Sequence, residues 1–394
     1  MTAPSNHIAF VCPRFSEGAT VGGAETLLKN LAIHAASAGR KVTFLTTCAK
    51  NHFTWANEIS PGHKQIQGIN VHFFPVDEDR DLESFASVQR AISANRTVTE
   101  EEELLWLKNN VNSSALCEHL RHNGKDYDRI VMGPYLFGLI YFASAICPEK
   151  TILVPCLHDE PFAYLKSFKN MFSNVRGFMF NSEPERDLAF RLYGTNPLVS
   201  SVVGMGLDDF NSDANAFRTR HGISVPYLIY SGRREPLKGT PLLLDYLEAF
   251  RSRTGQNIKL VLTGTGPVDV SSRISDAVMD VGFLDEQEKH NAMAGAVAFC
   301  HPSINESFGI VIMESWLAGT PVLVHGKSEV LKYQCKQSNG GLWFGSYPEF
   351  EEELLLLLNN PGIRTSLAKA GRRYVMEQYS WKTVAPKLLE SLDK

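Results

Sequence analysis

Short apolar runs alternate with helical patterns from one end of this chain to the other. Val, Ile, Leu and Phe dominate these runs, which have the length and composition of strands buried on both faces. The predicted strands are His7–Cys12, Lys41–Thr46, Asn70–Phe74, Arg129–Met132, Thr151–Val154, Gly177–Phe180, Val199–Val203, Tyr227–Ser231, Lys259–Leu262, Ala296–His301 and Pro321–Val324. Apolar strands that alternate with helices are typical of parallel sheets covered by helices, so the sequence predicts an α/β protein.

The alternation of strands and helices starts again at Tyr227, after the polar stretch Asp208–Ser224. Because 394 residues are enough for two cores, we predict two Rossmann-like, doubly wound domains, residues 1–205 and residues 206–379. Asp208–Ser224 is the predicted linker. We expect the C-terminal helix, residues 380–394, to pack back on the first domain, since no further strand follows it.

Composition and charge exclude several classes of protein. Hydrophobic residues make up 44% of the chain and charged residues 21%, as in soluble globular proteins. The net charge is −4 without a basic excess in either half, so we predict no nucleic-acid partner. The seven cysteines include no Cys-x-x-Cys pair, which argues against a disulfide framework and a structural zinc site. We therefore expect a protein of the reducing cytoplasm.

One uncharged stretch, Ile130–Pro148, is long enough by count to span a bilayer. Gly133 and Pro134 divide it, and its helical part, Tyr135–Ile146, would be only about 18 Å long. A buried strand followed by a core helix is therefore the better interpretation. The first seven residues lack the charged and apolar regions of a secretory signal.

Two further segments concern possible contacts with ligands or membranes. Asn51–Gly68 is rich in His, Asn and Pro, and we predict a long loop there, at the end of a strand where ligands bind. In Phe162–Arg176, aromatic residues at helical spacing are mixed with Lys166 and Lys169. This helix either touches an anionic membrane or packs in the core with a basic, solvated face.

The segment Asn305–Glu314 follows a predicted strand and contains two carboxylates. Glu306 would stand at a helix N-terminus and Glu314 about two turns inside, roughly 12 Å away along the axis. Glu306 could hydrogen-bond sugar hydroxyls and Glu314 ribose hydroxyls, with a diphosphate between them at the helix N-terminus. Its donors would be the backbone N–H groups of Phe308, Gly309 and Ile310. The alternative is a capped amphipathic helix with incidental carboxylates.

A basic loop leaves the predicted strand Tyr227–Ser231 and contains Arg233 and Lys238. A fork-shaped guanidinium and a compact ammonium suit a diphosphate leaving group, because its charge grows as its bond breaks. A loop at the carboxyl end of a strand faces the crevice in which open α/β sheets bind ligands. The alternative is a solvated turn, which Pro236 and Gly239 would also suit.

Two features of the first predicted domain are candidates for ligand contact. Gly22 and Gly23 lead into a helix, and paired glycines allow a backbone to approach a ligand closely. His158 follows the strand Thr151–Val154, where an imidazole could contact a bound sugar or an acceptor. A structural histidine is the alternative. Gly264-Thr265-Gly266 is interpreted as a plain turn, since a lone Gly-x-Gly is weak evidence.

Six motifs occur in a consistent order along nearly the whole chain. They are Gly22-Gly23-Ala24-Glu25, His158-Asp159, Gly206-Leu207-Asp208, Gly232-Arg233 with Lys238-Gly239, Gly264-Thr265-Gly266-Pro267, and Glu306 with Glu314 as Glu-x7-Glu. In these motifs the sequence resembles family 4 of the retaining glycosyltransferases, which have the GT-B fold, and in particular the bacterial surface-polysaccharide type. One departure is Met205, where many relatives have an asparagine.

The resemblance implies two Rossmann-like domains that face each other across an active-site cleft, with the acceptor on the N-terminal and the nucleotide sugar on the C-terminal domain. The residues implied for catalysis are Glu306, His158, Lys238 and Arg233. Those implied for donor binding are Arg233, Lys238, Glu306, Phe308, Gly309, Ile310, Glu314 and Gly23. Those implied for acceptor binding are His158, Gly22 and Glu25.

The resemblance also implies a reaction that needs neither a metal nor a cofactor besides the nucleotide sugar. Asp126-Tyr127-Asp128 matches the Asp-x-Asp motif of metal-dependent transferases, but it precedes its strand, so we predict a turn there. A sugar would pass from a UDP- or GDP-sugar to a hydroxyl of a glycan or lipid-linked acceptor. The implied setting is polysaccharide or lipopolysaccharide assembly in the cytoplasm, with peripheral contact with the inner face of the cell membrane.

Other classes remain open on the sequence alone. A nucleotide-sugar epimerase or hydrolase could use a similar two-domain scaffold without an acceptor. An NAD-dependent oxidoreductase would require a full Gly-x-Gly-x-x-Gly fingerprint after the first strand, which Val21–Glu25 does not provide. A catalytically silent scaffold would have no use for the basic loop and the two carboxylates.

Overall fold

A computed structural model describes residues 6–16, 22–194, 197–234 and 236–394, with Leu237 described by its backbone alone. Val21 and Glu235, which belong to two of the motifs, lie outside the described residues, as do the first five residues. The chain divides into two compact units. Unit 1 contains Met1–Gly206 and Lys382–Lys394, and unit 2 contains Leu207–Trp381.

Unit 1 is built on an eight-stranded sheet. Its strands are β1 (His7–Val11), β2 (Lys41–Thr47), β3 (Gly62–Ile66), β4 (Ile69–Phe74), β5 (Arg129–Met132), β6 (Thr151–Leu153), β7 (Gly177–Phe180) and β8 (Val199–Val202). Their order across the sheet is β3-β4-β2-β1-β5-β6-β7-β8. β3 pairs antiparallel with β4, and the other pairs are parallel. Strand order reverses between β1 and β5, which is the switch point of a doubly wound sheet.

Seven helices of unit 1 are distributed between these strands in the described residues. They are α1 (Gly23–Ser37), α2 (Leu82–Ser93), α3 (Glu100–Asn109), α4 (Ser114–Asn123), α5 (Gly138–Ser144), α6 (Lys166–Asn174) and α7 (Glu183–Tyr193). Local signals start several of them: Thr99 forms a capping box with Glu102 at α3, and the Ser182 side chain accepts from the Glu185 N–H at α7. Trp106 of α3 is buried in the core beneath these helices.

Unit 2 is built on a six-stranded sheet in which each recorded pair is parallel. Its strands are β9 (Tyr227–Ser231), β10 (Lys259–Thr263), β11 (Val278–Gly282), β12 (Ala298–His301), β13 (Val322–His325) and β14 (Gly341–Phe344). Their order is β11-β10-β9-β12-β13-β14, so the switch point lies between β9 and β12. This arrangement confirms the prediction of two Rossmann-like α/β domains.

The remaining helices follow in chain order. They are α8 (Ala214–Arg220), α9 (Thr240–Thr254), α10 (Glu286–Ala294), α11 (Ile310–Leu317), α12 (Glu329–Ser338), α13 (Tyr347–Asn359), α14 (Pro361–Gln378) and α15 (Trp381–Asp393). Residues 382–394 of the last helix belong to unit 1, where Arg40 donates to Asp393 over 2.8 Å. Leu388 and Leu392 of this helix are fully buried.

The predicted linker, Asp208–Ser224, is wrong. Its residues belong to unit 2 and include α8, whose N-terminus is capped by the Asp213 carboxylate. The Asp213 N–H donates to Asn291 of α10 over 2.8 Å, and Phe217 of α8 is fully buried. Polar side chains in this stretch therefore act as a helix cap and as packing contacts rather than as a solvated connection.

The predicted loop Asn51–Gly68 is also partly wrong, because it contains β3. Gly62, His63, Lys64 and Gln65 are exposed on this edge strand, so it lacks the apolar run by which strands were recognised. Gln67 and Gly68 both have positive φ, +48° and +81°, as a two-residue hairpin turn requires. β11 and β14, the two outer strands of the unit 2 sheet, were also missed.

Several other interpretations are confirmed. Ile130–Pro148 forms β5 and the seven-residue α5, and no helix among the described residues has the length and apolarity needed to cross a membrane. Phe168, Met171 and Phe172 of α6 are buried, which supports the core interpretation of Phe162–Arg176. All seven cysteines are free thiols. Asp126 ends a short 3-10 turn before β5.

The packing of α14 on α11 gives a test of the fold. A Cβ at Gly371 of α14 would lie 2.3 Å from Cδ1 of Trp316, a fully buried indole of α11. Because a ring cannot yield at this distance, we expect Gly371→Ala to lower the free energy of unfolding by about 1–3 kcal/mol. Gly362→Ala in the same helix meets no atom within 4 Å and should be neutral or stabilising. Urea unfolding measures the free energy of unfolding of both variants. Equal changes in Gly371→Ala and Gly362→Ala would contradict this packing.

Candidate functional site

Three loops of unit 2 leave the carboxyl ends of adjacent strands β10, β9 and β12 and touch through their backbones. A Cβ at Gly264 would lie 2.0 Å from the carbonyl oxygen of Gly232. A Cβ at Gly239, whose φ is +75°, would lie 2.6 Å from the carbonyl oxygen of Pro302. Glycine is therefore required at both points for steric reasons and, because φ of Gly264 is also positive at +120°, for conformational reasons too. The close approach brings the basic loop beside the first carboxylate.

Lys238 and Glu306 form an ion pair across this approach. Lys238 Nζ donates to Glu306 Oε1 over 2.7 Å, and the two side chains are 22% and 16% exposed. His301, the last residue of β12, places Nε2 3.4 Å from the same oxygen. Burial lowers the pKa of the His301 imidazole to about 4. In the described part of the chain, His301 Nδ1 has no hydrogen-bond partner.

The start of α11 lacks a side-chain cap, and an anion site there stays a prediction. Gly309 is the N-cap residue with φ +84°, and no side chain caps the first turn, which begins at Ile310. Phe308 is buried and meets Tyr379 edge to face, with 5.0 Å between ring centroids. Because the first N–H groups of a helix lack partners inside it, this turn presents donors and the positive end of the dipole.

Glu314 lies inside α11 and contacts a different cation. Its Oε1 accepts from Lys289 Nζ of α10 over 2.8 Å, and both side chains are largely buried. Its Oε2 is buried without a hydrogen-bond partner among the described residues. The two carboxylates predicted from Asn305–Glu314 are thus each paired with a lysine, so an incoming ligand would compete with or add to those pairs.

The two adjacent arginines of the basic loop have different surroundings. Arg233 is exposed, and its carbonyl oxygen accepts from the Tyr230 hydroxyl over 2.5 Å. Arg234 is only 8% exposed, donates to the Gly264 carbonyl over 2.9 Å and forms an ion pair with Asp280 of β11. Arg234 therefore ties the loops after β9 and β10 together, whereas the Arg233 side chain faces solvent.

His158 of unit 1 lies in the loop after β6. Its Nδ1 is 3.6 Å from Glu160 Oε1, which also accepts from the Tyr135 hydroxyl over 3.0 Å. The adjacent Leu157 N–H donates to Glu185 over 2.7 Å. Burial raises the pKa of Glu185 to about 8, although backbone N–H groups bond to it. Tyr135, in the loop after β5, and Glu185 of α7 thus hold the loop that carries His158 and Glu160.

The glycine motif of unit 1 starts α1 at Gly23. Glu25 is buried and accepts from Arg14 Nε over 3.0 Å, and Arg14 also donates to the Lys50 carbonyl. A Cβ at Gly22 would lie 1.9 Å from Glu25 Oε2. Gly22 therefore makes room for the Glu25 side chain, and an acceptor contact of Glu25 or Gly22 stays a prediction.

Sequence reasoning missed His301, Lys289, Glu160 and Arg14. His301 had a usable signal, since it ends a predicted strand five residues before Glu306. Lys289 and Arg14 had none, because each contacts its partner through tertiary packing rather than through a recognisable motif. Glu160 had a local signal, since it lies two residues after His158. The structure brings Lys238 to Glu306 but pairs Glu314 with Lys289 instead.

Residues 213–374 match the family model described as Glycosyl transferases group 1. The chain therefore carries a glycosyltransferase group 1 domain, which includes the basic loop, Glu306 and Glu314. This match favours neither the oxidoreductase nor the epimerase alternative.

Curated relatives are named as glycosyltransferases. A phosphatidyl-myo-inositol mannosyltransferase of Mycobacterium leprae is 31% identical over 41% of this chain and 45% of its own length. A D-inositol 3-phosphate glycosyltransferase of Xylanimonas cellulosilytica is 30% identical over 61% of this chain and 62% of its own length. The chain spans about half the length of the first curated relatives that it matches.

Solved structures share the fold over nearly the whole chain. Alr3699/HepE of Anabaena, in complex with UDP and glucose, has a TM-score of 0.70 at 18% identity and covers 98% of this chain and 99% of its own. WaaG, a glycosyltransferase involved in lipopolysaccharide biosynthesis, has a TM-score of 0.65 at 16% identity with coverage of 98% and 99%. These neighbours confirm the GT-B fold type.

Two buried histidines of unit 2 predict a loss of stability in acid. Burial lowers the pKa values of His301 and His290 to about 4, below the usual value near 6.5. Between these pH values the unfolded chain binds more protons, so the free energy of unfolding should fall as pH drops from about 6.5 to 4. His301→Gln and His290→Gln should each lose less stability than the wild type between pH 7.5 and 5.0 in urea unfolding. Equal losses of stability in the variants and the wild type would contradict the lowered pKa values of the two histidines.

Proposed function

We propose that this protein is a retaining, metal-independent glycosyltransferase that moves a sugar from a UDP- or GDP-sugar to a hydroxyl of a glycan or lipid-linked acceptor. The observation that carries the proposal is the contact of Lys238 with Glu306 beside the N-terminus of α11. It lies within the glycosyltransferase group 1 domain, at the switch point of the unit 2 sheet.

The diphosphate of the donor would bind to positive groups of the basic loop and of α11. The Lys238 ammonium, the exposed Arg233 guanidinium and the uncapped first turn of α11 supply hydrogen-bond donors and positive charge. Such preorganised donors stabilise the charge that grows on the leaving diphosphate, which is the role that a divalent ion has in other enzymes. The UDP in the complex of the Anabaena neighbour supports a nucleoside-diphosphate ligand.

The two carboxylates would bind the two ends of the donor. Glu306, beside Lys238, would accept hydrogen bonds from hydroxyls of the transferred sugar. Glu314 would accept from the ribose hydroxyls, with Lys289 holding its other oxygen. Because both carboxylates are mostly buried, hydrogen bonds to them are stronger than in water and favour one orientation of the ligand.

The reaction would proceed through an oxocarbenium-like transition state. The bond between the anomeric carbon and the phosphate oxygen breaks, and its electron pair leaves with the nucleoside diphosphate. The acceptor oxygen then bonds to the anomeric carbon on the face that the diphosphate leaves, and the hydroxyl proton passes to a phosphate oxygen. Glu306 stabilises the sugar in this scheme and forms no covalent intermediate.

Unit 1 would bind the acceptor through residues at the carboxyl ends of β1 and β6. His158, oriented by Glu160, is the group that we propose for contact with the sugar or acceptor. Gly22, Gly23 and Glu25 line the start of α1 and are the second proposed contact. We propose a cytoplasmic role in surface polysaccharide or lipopolysaccharide assembly, with peripheral contact with the inner membrane; the likeness to WaaG supports this setting.

A panel of nucleotide sugars in EDTA tests the donor site. We expect UDP-glucose, UDP-N-acetylglucosamine, UDP-galactose or GDP-mannose to raise the melting temperature of the wild-type protein, whereas NAD should not. Lys238→Ala should lose this shift and Glu306→Ala should lower transfer by about 100-fold or more, because each removes a charged contact to the leaving group or the reacting sugar. Release of the free nucleoside diphosphate measures cleavage of the donor, whether water or an acceptor hydroxyl takes the sugar.

The outcomes separate the classes of enzyme. Transfer that survives both substitutions in folded protein would overturn the assigned roles. Stabilisation by NAD alone, or by no nucleotide in the panel, would overturn the proposed function.

The two glycines that flank α9 give a matched test of the loop geometry. Gly239 and Gly255 have similar positive φ, +75° and +68°, but only a Cβ at Gly239 meets Pro302, as Gly255 has no atom within 4 Å. Both alanine variants should lose about 1–2 kcal/mol of stability through backbone strain. Gly239→Ala alone should weaken nucleotide-sugar binding, by about 10-fold, since it displaces Lys238 from Glu306. Calorimetry measures the affinity of both variants for the nucleotide sugar. Equal affinities of Gly239→Ala and Gly255→Ala would refute the requirement for a close approach.

A further inference from the structure

We propose that His301 is a positioning residue, which holds Glu306 in place when the donor diphosphate draws Lys238 away. The inference rests on the proposed function, because it concerns the same donor site. It assigns a role to a side chain that neither the motifs nor the family match singles out.

His301 and Lys238 both lie close to the same carboxylate oxygen of Glu306. Lys238 Nζ is 2.7 Å and His301 Nε2 is 3.4 Å from Glu306 Oε1. Two groups that converge on one oxygen limit the rotation of the Glu306 side chain more than either would alone. The contact therefore concerns orientation, on which the alignment of a bound sugar depends.

The two partners differ in their freedom to move. The Lys238 side chain is 22% exposed and has a flexible four-carbon stem, so its ammonium can turn toward a diphosphate. His301 is 5% exposed and pairs with Val324 at the end of β12. Burial on a strand restricts the movement of this ring, so we expect His301 to remain beside Glu306 when Lys238 moves.

Donor binding changes the charge balance around Glu306. A diphosphate carries more negative charge than one carboxylate, so it attracts the Lys238 ammonium more strongly. Glu306, 16% exposed, would then lose its cation next to an anionic ligand. A buried carboxylate without a partner is costly and would rotate or take up a proton. The His301 N–H is the group positioned to prevent this.

The protonation of His301 suits such a role. Burial lowers its pKa to about 4, and the neighbouring Lys238 acts in the same direction, while Glu306 opposes it. The imidazole is therefore neutral at physiological pH. Its Nε2-protonated tautomer directs N–H at Glu306 and leaves a lone pair on Nδ1, which matches the lack of a partner for Nδ1 among the described residues.

Substitutions at His301 separate positioning from simple packing. His301→Leu fills similar space without a donor, and His301→Gln retains an N–H donor. We expect His301→Leu to lower kcat by about 10- to 100-fold, as loss of an orienting outer contact does elsewhere. His301→Gln should retain most of the wild-type kcat. The Kd for the free nucleoside diphosphate, UDP or GDP, should stay within about 2-fold of wild type in both variants, because Lys238 still contacts the diphosphate.

His290→Leu is the matched control. His290 is a buried histidine of α10 with a similarly lowered pKa, and its ring stacks on Phe210 at 3.5 Å between ring centroids. Its kcat should stay near that of the wild type even if its melting temperature falls. A loss of stability shared by His301→Leu and His290→Leu would then not explain a loss of kcat in the former alone.

Kinetics with the donor that stabilises the wild type, such as UDP-glucose or GDP-mannose, decide the question. Folded His301→Leu with wild-type kcat would overturn the inference, as would His301→Gln that is no better than leucine. A nucleoside-diphosphate affinity that falls in step with kcat would show that His301 only supports the loop and would also overturn it. A wild-type protein that neither binds nor uses these donors would instead overturn the proposed function.

Discussion

The candidate site depends on the reversal of strand order between β9 and β12. These strands are parallel neighbours in space, although 66 residues of chain separate their ends near Ser231 and Ala298. Their carboxyl ends open in the same direction, and the helices that follow them diverge to opposite faces of the sheet. The loop with Lys238 and the loop with Glu306 therefore meet at one crevice. Because Gly239 has no side chain, the backbone of the first loop can lie against the Pro302 carbonyl of the second.

Electrostatic pairing is a second theme of the site. Each carboxylate to which the sequence assigned ligand binding contacts a cation: Glu306 contacts Lys238, Glu314 contacts Lys289, and Glu25 contacts Arg14. Pairing with a cation offsets part of the cost of burying a carboxylate. In the proposed function, ligand binding at Glu306 would be an exchange of partners rather than a simple addition.

Strands with a buried apolar run were predictable, because their composition carries the signal. β5, β7 and β9 have the predicted bounds, since each is buried along most of its length and bounded by turn residues. β3 is a polar hairpin strand at the edge of its sheet, where solvent removes the need for apolar side chains. The prediction of a linker before Tyr227 failed for the opposite reason. The polar residues of this stretch cap and anchor α8 instead of forming a solvated connection.

The amino-acid sequence by itself determined the α/β class and the two Rossmann-like domains. Its assignment of Arg233, Lys238, Glu306 and Glu314 to a diphosphate and sugars stays a prediction. Periodicity and local motifs carry this information. Only the tertiary structure decided which groups meet: Lys238 with Glu306, 68 positions apart, Glu314 with Lys289, and His301 behind them. Such contacts follow from strand order, burial and backbone clearance, which are properties of the folded chain and not of any segment within it.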